Sequence, residues 1–146
     1  MTLLRAASRT ASVCFAYAIC VAPMALAAPP QQTIYTCVLS VTRNQIWIPD
    51  QVVISVNKAD GAVLVFDPII RYFMSNPISA KVVVDTAARL TLKWNVTRIN
   101  KVRPSNLPTI VYTAKLTRAD NRIAINATPL GFDNRFYADG VCKIRD

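Results

Sequence analysis

Histidine is absent from this 146-residue chain, so the side chains that it has for catalysis are those of aspartate, lysine, serine and cysteine. The acidic residues are all Asp, and most fall where strands are predicted to end, a position that Asp prefers on conformational grounds. Asp139 is the exception, since the pattern places it inside a strand, on its outer face. Without a base that titrates near neutral pH, or a carboxylate pair, we expect no enzyme. The alternative is a hydrolase or isomerase with an unusual Asp or Lys centre.

The same composition predicts no metal site and no cofactor. Zinc sites need clusters of His or Cys, and calcium loops need closely spaced oxygen donors; the sequence has neither. A phosphate-binding loop needs several glycines close together, and the whole chain has three.

Two of the four cysteines, Cys37 and Cys142, lie in the first and last predicted strands. Cys14 and Cys20 fall in an amino-terminal segment that we expect to be removed. In an exported chain, two remaining cysteines most simply form one disulfide bond. The sequence therefore predicts a Cys37–Cys142 bond that joins the first strand to the last.

Lysine and arginine outnumber the acidic residues, and the formal net charge is +9. Strand alternation places seven cations on the outward face: Arg89, Lys93, Lys115, Arg122, Arg135, Lys143 and Arg145. One interpretation is a solvated surface. The other is a surface for an anionic partner, such as lipid headgroups, a polysaccharide or an acidic protein. A nucleic acid partner is not expected, because no series of aromatic residues is interleaved for base stacking.

Three aromatic side chains, Trp94, Tyr112 and Phe136, fall on the inward face of the same strands. They are either core residues or the lining of a pocket for an apolar small molecule. An interior of this size can be packed or can hold one small ligand, and both interpretations stay open. Trp47, which precedes Pro49, is expected to plug one end.

Hydrophobic alternation predicts a β-protein. From Arg89 onward a period of two places Leu90, Leu92 and Trp94 on one face, with Arg89 and Thr91 on the other. The pattern continues through strands near 110–116, 123–127 and 136–144, the last with Ile144 inward. Four earlier strands are predicted at 32–41, 51–57, 62–67 and 80–85. Residues 68–75 form either a short helix or an ordered loop, which covers the 51–67 hairpin or forms a lid or wall of a ligand site.

Eight sequential antiparallel strands predict a single small up-and-down β-barrel closed by the disulfide bond. The alternative is a two-sheet β-sandwich in which the bond joins neighbouring strands. In strand number and order the barrel resembles the lipocalin and calycin architecture. The glycine that lipocalins carry two residues before a Trp near the first strand is absent, since Gln45 holds that position before Trp47. No residue role follows from this resemblance.

Residues 1–27 have the pattern of a bacterial signal peptide, with Arg5 and Arg9 ahead of an uncharged apolar stretch and a small-residue cleavage site at Ala25–Ala27. The alternative is an uncleaved membrane anchor. We expect cleavage to leave one β-domain, 28–146, that is periplasmic or secreted. The sequence thus favours an exported binding or envelope-associated protein that is not an enzyme. A secreted inhibitor or assembly protein, acting through the polar loop at 100–108, is a further alternative, and the oligomeric state is open.

Overall fold

The computed structural model describes residues 31–97 and 108–145. The predicted signal peptide lies outside the described residues, as does the loop at 100–108 except for Pro108. The described elements, in chain order, are β1 (Gln32–Leu39), β2 (Gln51–Asn57), β3 (Val63–Phe66), α1 (Pro68–Met74), β4 (Ile78–Asp85), β5 (Arg89–Val96), β6 (Ile110–Thr117), β7 (Arg122–Pro129) and β8 (Phe136–Arg145).

The eight strands form a closed antiparallel barrel in sequence order. Each strand pairs with the next, and β8 pairs with β1 to close the ring. The predicted barrel is therefore confirmed, and the alternative sandwich is wrong. Closure satisfies the backbone hydrogen bonds that an open sheet would leave at its edges.

A disulfide bond between Cys37 and Cys142 joins β1 to β8, as predicted. The two residues are direct partners in the register, and both side chains are buried. The bond therefore lies at the seam where the barrel closes, on its inner face.

The inward side chains of all eight strands form one continuous hydrophobic core. The alternation predicted which strand side chains are buried and which are exposed, with two exceptions. Ile144 was predicted inward but is 41% exposed, because β7 pairs with β8 only as far as Val141. Thr91 was predicted on the solvated face but is 6% exposed; it lies beside a register shift in β4 between Val82 and Val84.

Residues 68–74 form a helix, α1, because the residues at its two ends cap it. Asp67 leaves the strand to accept a hydrogen bond from the Ile70 backbone N–H, and Pro68 supplies the φ angle of a first helical residue. This explains why β3 ends at Phe66, one residue before the predicted end. At the other end of α1, Ser75 adopts a left-handed conformation with φ 65°.

The helix lies at one end of the barrel, where it borders β2 and β3 but leaves part of their outer face exposed. Ile70 is fully buried and α1 packs against β5, whereas Leu64 on the outer face of β3 remains 44% exposed. Ile48 is also buried at this end, and Trp47 packs partly against the core, in the position predicted for a plug. We call this the α1 end. The opposite end, with the turns at 58–62, 86–88 and 118–121, is the hairpin end.

Candidate functional site

Three of the predicted surface cations meet at one groove of about 350 Å³ on the outer face of the sheet. Arg89, Lys115 and Arg122 come from β5, β6 and β7, which are neighbours in the barrel. The register explains the meeting, because Thr117 on β6 is the partner of both Arg89 and Arg122. The groove is also lined by Thr117, Asp120 and Asp139. We call it the basic groove.

The three cations of the basic groove are exposed and have no ion-pair partner within the described part of the chain. The salt bridge nearby uses other residues, since Arg118 Nη2 lies 2.7 Å from Asp85 Oδ1. The groove therefore has an excess of positive charge, with three cations against the two carboxylates of Asp120 and Asp139, and none of the three cations forms an ion pair with them.

The two carboxylates of the groove are held by other contacts. Asp120 Oδ1 accepts a hydrogen bond of 3.2 Å from the Arg122 backbone N–H. Asp139 Oδ1 accepts one of 2.5 Å from the Tyr137 hydroxyl. This bond raises the pKa of Tyr137, while the nearby charge of Arg122 acts in the opposite direction. Asp139, the carboxylate that the pattern placed inside a strand, thus lies among cations, where it offers a hydrogen-bond acceptor to a bound molecule.

The remaining predicted cations are all exposed, but they do not all lie together. Lys93 lies on the same outer face of β5, four residues along the strand from Arg89. Lys143 and Arg145 lie on β8 towards the hairpin end, where they pair in register with β1. Arg135 lies apart from the others, because it precedes β8 at the α1 end. Val141, the β8 partner of Arg122, is six residues further along the chain, a distance of roughly 20 Å in a strand.

Sequence reasoning missed one cation of this surface, Lys81. It is exposed on β4 and lies directly opposite Lys93 in the register. The alternation of β4 was hidden by a run of three valines and by the register shift after Val82. Its position opposite Lys93 follows only from the register between β4 and β5.

The three predicted aromatic residues lie in one inward row across β5 to β8. Trp94 pairs with Tyr112, Tyr112 with Ala127, and Ala127 with Phe136. The rings of Trp94 and Tyr112 are stacked, with centroids 5.3 Å apart and planes 3° from parallel. The Tyr112 hydroxyl donates a hydrogen bond of 2.8 Å to the Trp47 carbonyl oxygen. These two rings are therefore packed into the core.

Phe136, the third member of the row, is only partly buried and lines a second groove at the α1 end. This groove has a volume of about 240 Å³ and includes Ile46, Trp47 and Phe132. Ile46 is 70% exposed and Phe132 is 57% exposed. We call it the apolar end groove.

Asp67 is a buried carboxyl group that was not among the residues predicted from the sequence to form a site. Its Oδ1 accepts a hydrogen bond of 2.7 Å from the Ile70 N–H, while Oδ2 has no partner among the described residues. Burial raises the pKa of Asp67 to about 6, although hydrogen bonds from the Ile70 and Ile69 backbone oppose the shift. Burial, with a smaller contribution from the charge of Asp67, also raises the pKa of Tyr112. The Asp-Pro pair that starts a helix was the available signal.

Within 31–97 and 108–145, no group of three or more His, Cys, Asp or Glu side chains is arranged to hold a metal ion. In the same ranges, no helix has the length and apolar character needed to cross a membrane. Comparison of the chain with protein-family models, with curated proteins and with solved structures gives no match.

Proposed function

We propose that this is an exported, non-enzymatic protein that binds an anionic component of the cell envelope through the basic groove and the cations beside it. One observation carries the proposal: Arg89, Lys115 and Arg122 converge from three neighbouring strands on one groove, where they outnumber the carboxylates of Asp120 and Asp139 and form no ion pair with them. A concave surface in which one sign of charge is in excess attracts ions of the opposite sign.

The disulfide bond supports export. Disulfide bonds form and persist in oxidising compartments such as the periplasm and the extracellular space, and are rare in the cytosol. The Cys37–Cys142 bond is buried at the seam of the barrel, where it serves the fold. Together with the signal-peptide pattern of residues 1–27, it favours a periplasmic or secreted location.

Exposed charges act over a short range in salt, which gives the proposal a direct test. At physiological ionic strength the screening length is about 8 Å, so binding through the groove should weaken as salt rises. Purified mature protein would be sedimented with envelope fragments of its own host at low and high salt. We expect binding at low salt and loss of most of it at high salt.

A matched pair of variants assigns the binding to the groove. Lys115→Glu/Arg122→Glu reverses two cations of the groove, and Arg43→Glu/Arg135→Glu reverses two exposed cations elsewhere with the same change in net charge. We expect the first variant to bind at least tenfold more weakly than the second. Equal loss in both variants, or no loss in either, would contradict the proposal.

A second candidate function is the binding of an apolar small molecule, favoured by the exposure of Ile46 and Phe132 at the apolar end groove. Because Trp94 and Tyr112 are packed, such a ligand would lie at the mouth of the barrel, against Phe136 and Trp47. Native mass spectrometry of protein purified from its host tests this. A co-purifying lipid that is lost in Phe132→Ser would support it, and a single peak at the mass of the mature chain would count against it.

A further inference from the structure

We propose that the anionic component is a linear acidic polysaccharide that lies across the outer face from β4 to β7, rather than the flat surface of a lipid bilayer. The inference rests on the proposed function, because it names the kind of partner that the same surface binds. It is carried by how the cations are arranged around the barrel, by the polar side chains between them, and by a pair of lysines that repel each other.

The cations are spread around a curved surface. Lys81 is on β4, Lys93 and Arg89 on β5, Lys115 on β6 and Arg122 on β7. In a closed ring of eight strands each strand takes up about 45° of the circumference, so β4 and β7 face directions about 135° apart. A flat bilayer touches such a surface along neighbouring strands only. A flexible chain can follow the curve. The distance across the strands from β4 to β7 is roughly 15 Å at the backbone, and Arg122 lies four residues along β7 from the residue level with Lys81, so the path between these two ends is roughly 20 Å.

Lys81 and Lys93 extend this path beyond the basic groove. They are direct cross-strand partners, so their Cβ atoms are about 5 Å apart, and like charges in this relationship destabilise a sheet. Both side chains are exposed, and neither has an ion-pair partner within the described ranges. An anionic group bound between them would relieve the repulsion, which makes this pair a second point of attachment.

The side chains between the cations suit a partner with many hydroxyl groups. Thr113 lies in register between Lys93 and Asn126, and Thr117 lies between Arg89 and Arg122. Asp139 on β8 adds a carboxylate oxygen to the basic groove. Hydroxyl, amide and carboxylate groups form hydrogen bonds with the hydroxyl groups of a sugar.

The same surface is poorly suited to a nucleic acid. Single-stranded nucleic acids bind to series of aromatic side chains on which successive bases stack. Among the described outward residues of β4 to β8, Tyr137 is the aromatic one, and its hydroxyl is already bonded to Asp139. One aromatic ring at the edge of the path does not make a stacking series.

Binding to defined probes tests the inference. The mature protein would be titrated at low salt with polygalacturonate, dextran sulfate, neutral dextran, phosphatidylglycerol vesicles and an oligodeoxythymidine. We expect at least one of the two acidic polysaccharides to bind ten times or more tightly than the vesicles and the oligonucleotide. Neutral dextran should not bind. Galacturonate, the free monosaccharide, should not bind at a concentration that carries the same total charge as the polymer. Equal or tighter binding of vesicles or of the oligonucleotide would overturn the inference, as would failure of both acidic polymers.

Single charge reversals separate a curved path from a flat contact. Lys81→Glu and Arg122→Glu change the two ends of the path, and each should weaken polymer binding several-fold, while Arg43→Glu should not. Unchanged binding in Lys81→Glu would overturn the path from β4 to β7. The thermal unfolding midpoint of each variant checks that it is folded. Binding to envelope fragments without binding to either polymer would refute this inference alone, whereas absence of salt-sensitive binding to the fragments would refute the proposed function itself.

Discussion

Cys37 and Cys142 lie directly opposite each other across the β1–β8 seam, although they are 105 residues apart in the chain. The bond therefore fixes the strand pair that closes the barrel. It is also the pair with the greatest separation in sequence, and so the one whose formation costs the unfolded chain the most entropy.

Removal of the bond should destabilise the barrel markedly. In the chain-entropy model, a cross-link that closes a loop of this length contributes roughly 4 to 5 kcal/mol, and measured values are often lower. We expect Cys37→Ala/Cys142→Ala to lower the free energy of unfolding by about 3 to 5 kcal/mol in urea denaturation. Wild-type protein measured under reducing conditions is the control and should move towards the variant. Identical midpoints for oxidised wild type and variant would show that the seam does not depend on the bond.

Gly140 should tolerate no side chain. A Cβ atom there would lie 2.8 Å from Leu39 Cδ2 and closer still to the Val38 carbonyl oxygen, because β8 approaches β1 closely at this point. We expect Gly140→Ala to cost about 2 to 3 kcal/mol or more. The control is Gly61→Ala, where φ is +70° but the surrounding space is open, so that only backbone strain of about 1 kcal/mol is expected. Equal effects in chemical denaturation would contradict the close approach.

Asp67 should make stability depend on pH in the direction opposite to an ordinary carboxylate. Its pKa in the fold, about 6, is above the usual 3.8, so the folded protein holds this proton more tightly than the unfolded chain does. The contribution is complete below about pH 4 and is lost as pH rises through 6. Two pKa units correspond to about 3 kcal/mol.

The comparison is with Asp67→Asn, which keeps an oxygen to accept from the Ile70 N–H but does not titrate. Between pH 4 and pH 7.5, the free energy of unfolding of the wild type should fall by about 2 kcal/mol relative to the variant. Parallel pH profiles for the two proteins would show that Asp67 is not buried as described.

Reversal of the charge at Lys81 should change stability and binding in opposite directions. Lys81→Glu replaces a repulsive pair with an attractive one opposite Lys93, which should stabilise the fold by about 0.2 to 1 kcal/mol. The same variant should bind acidic polymer more weakly. A small rise in the unfolding midpoint together with a fall in affinity is the expected result, and the rise should shrink in high salt. A fall in the midpoint would contradict the described register.

Much of this architecture could be predicted from hydrophobic alternation, and the misses have physical causes. The period of two from Leu90 to Val96 predicted both the strand and the direction of Trp94, because side chains on a strand alternate whatever the strand pairs with. The predicted burial of Ile144 was wrong because the exposure of this side chain depends on where the neighbouring strand ends. Lys81 was missed because a register shift in β4, which alternation does not reveal, sets what it faces.

The candidate sites depended still more on tertiary structure. Charge and spacing marked Arg89, Lys115 and Arg122 as outward cations, but nothing in their order showed that Thr117 would bring two of them to one groove or that Arg135 would lie far from it. In the sequence, Asp67 resembles any aspartate at the end of a strand. Its burial depends on how α1 packs against the barrel. Local pattern fixes which way a side chain points, since that follows from backbone geometry alone. Which side chains meet follows from pairing between distant strands, and that is settled only when the barrel closes.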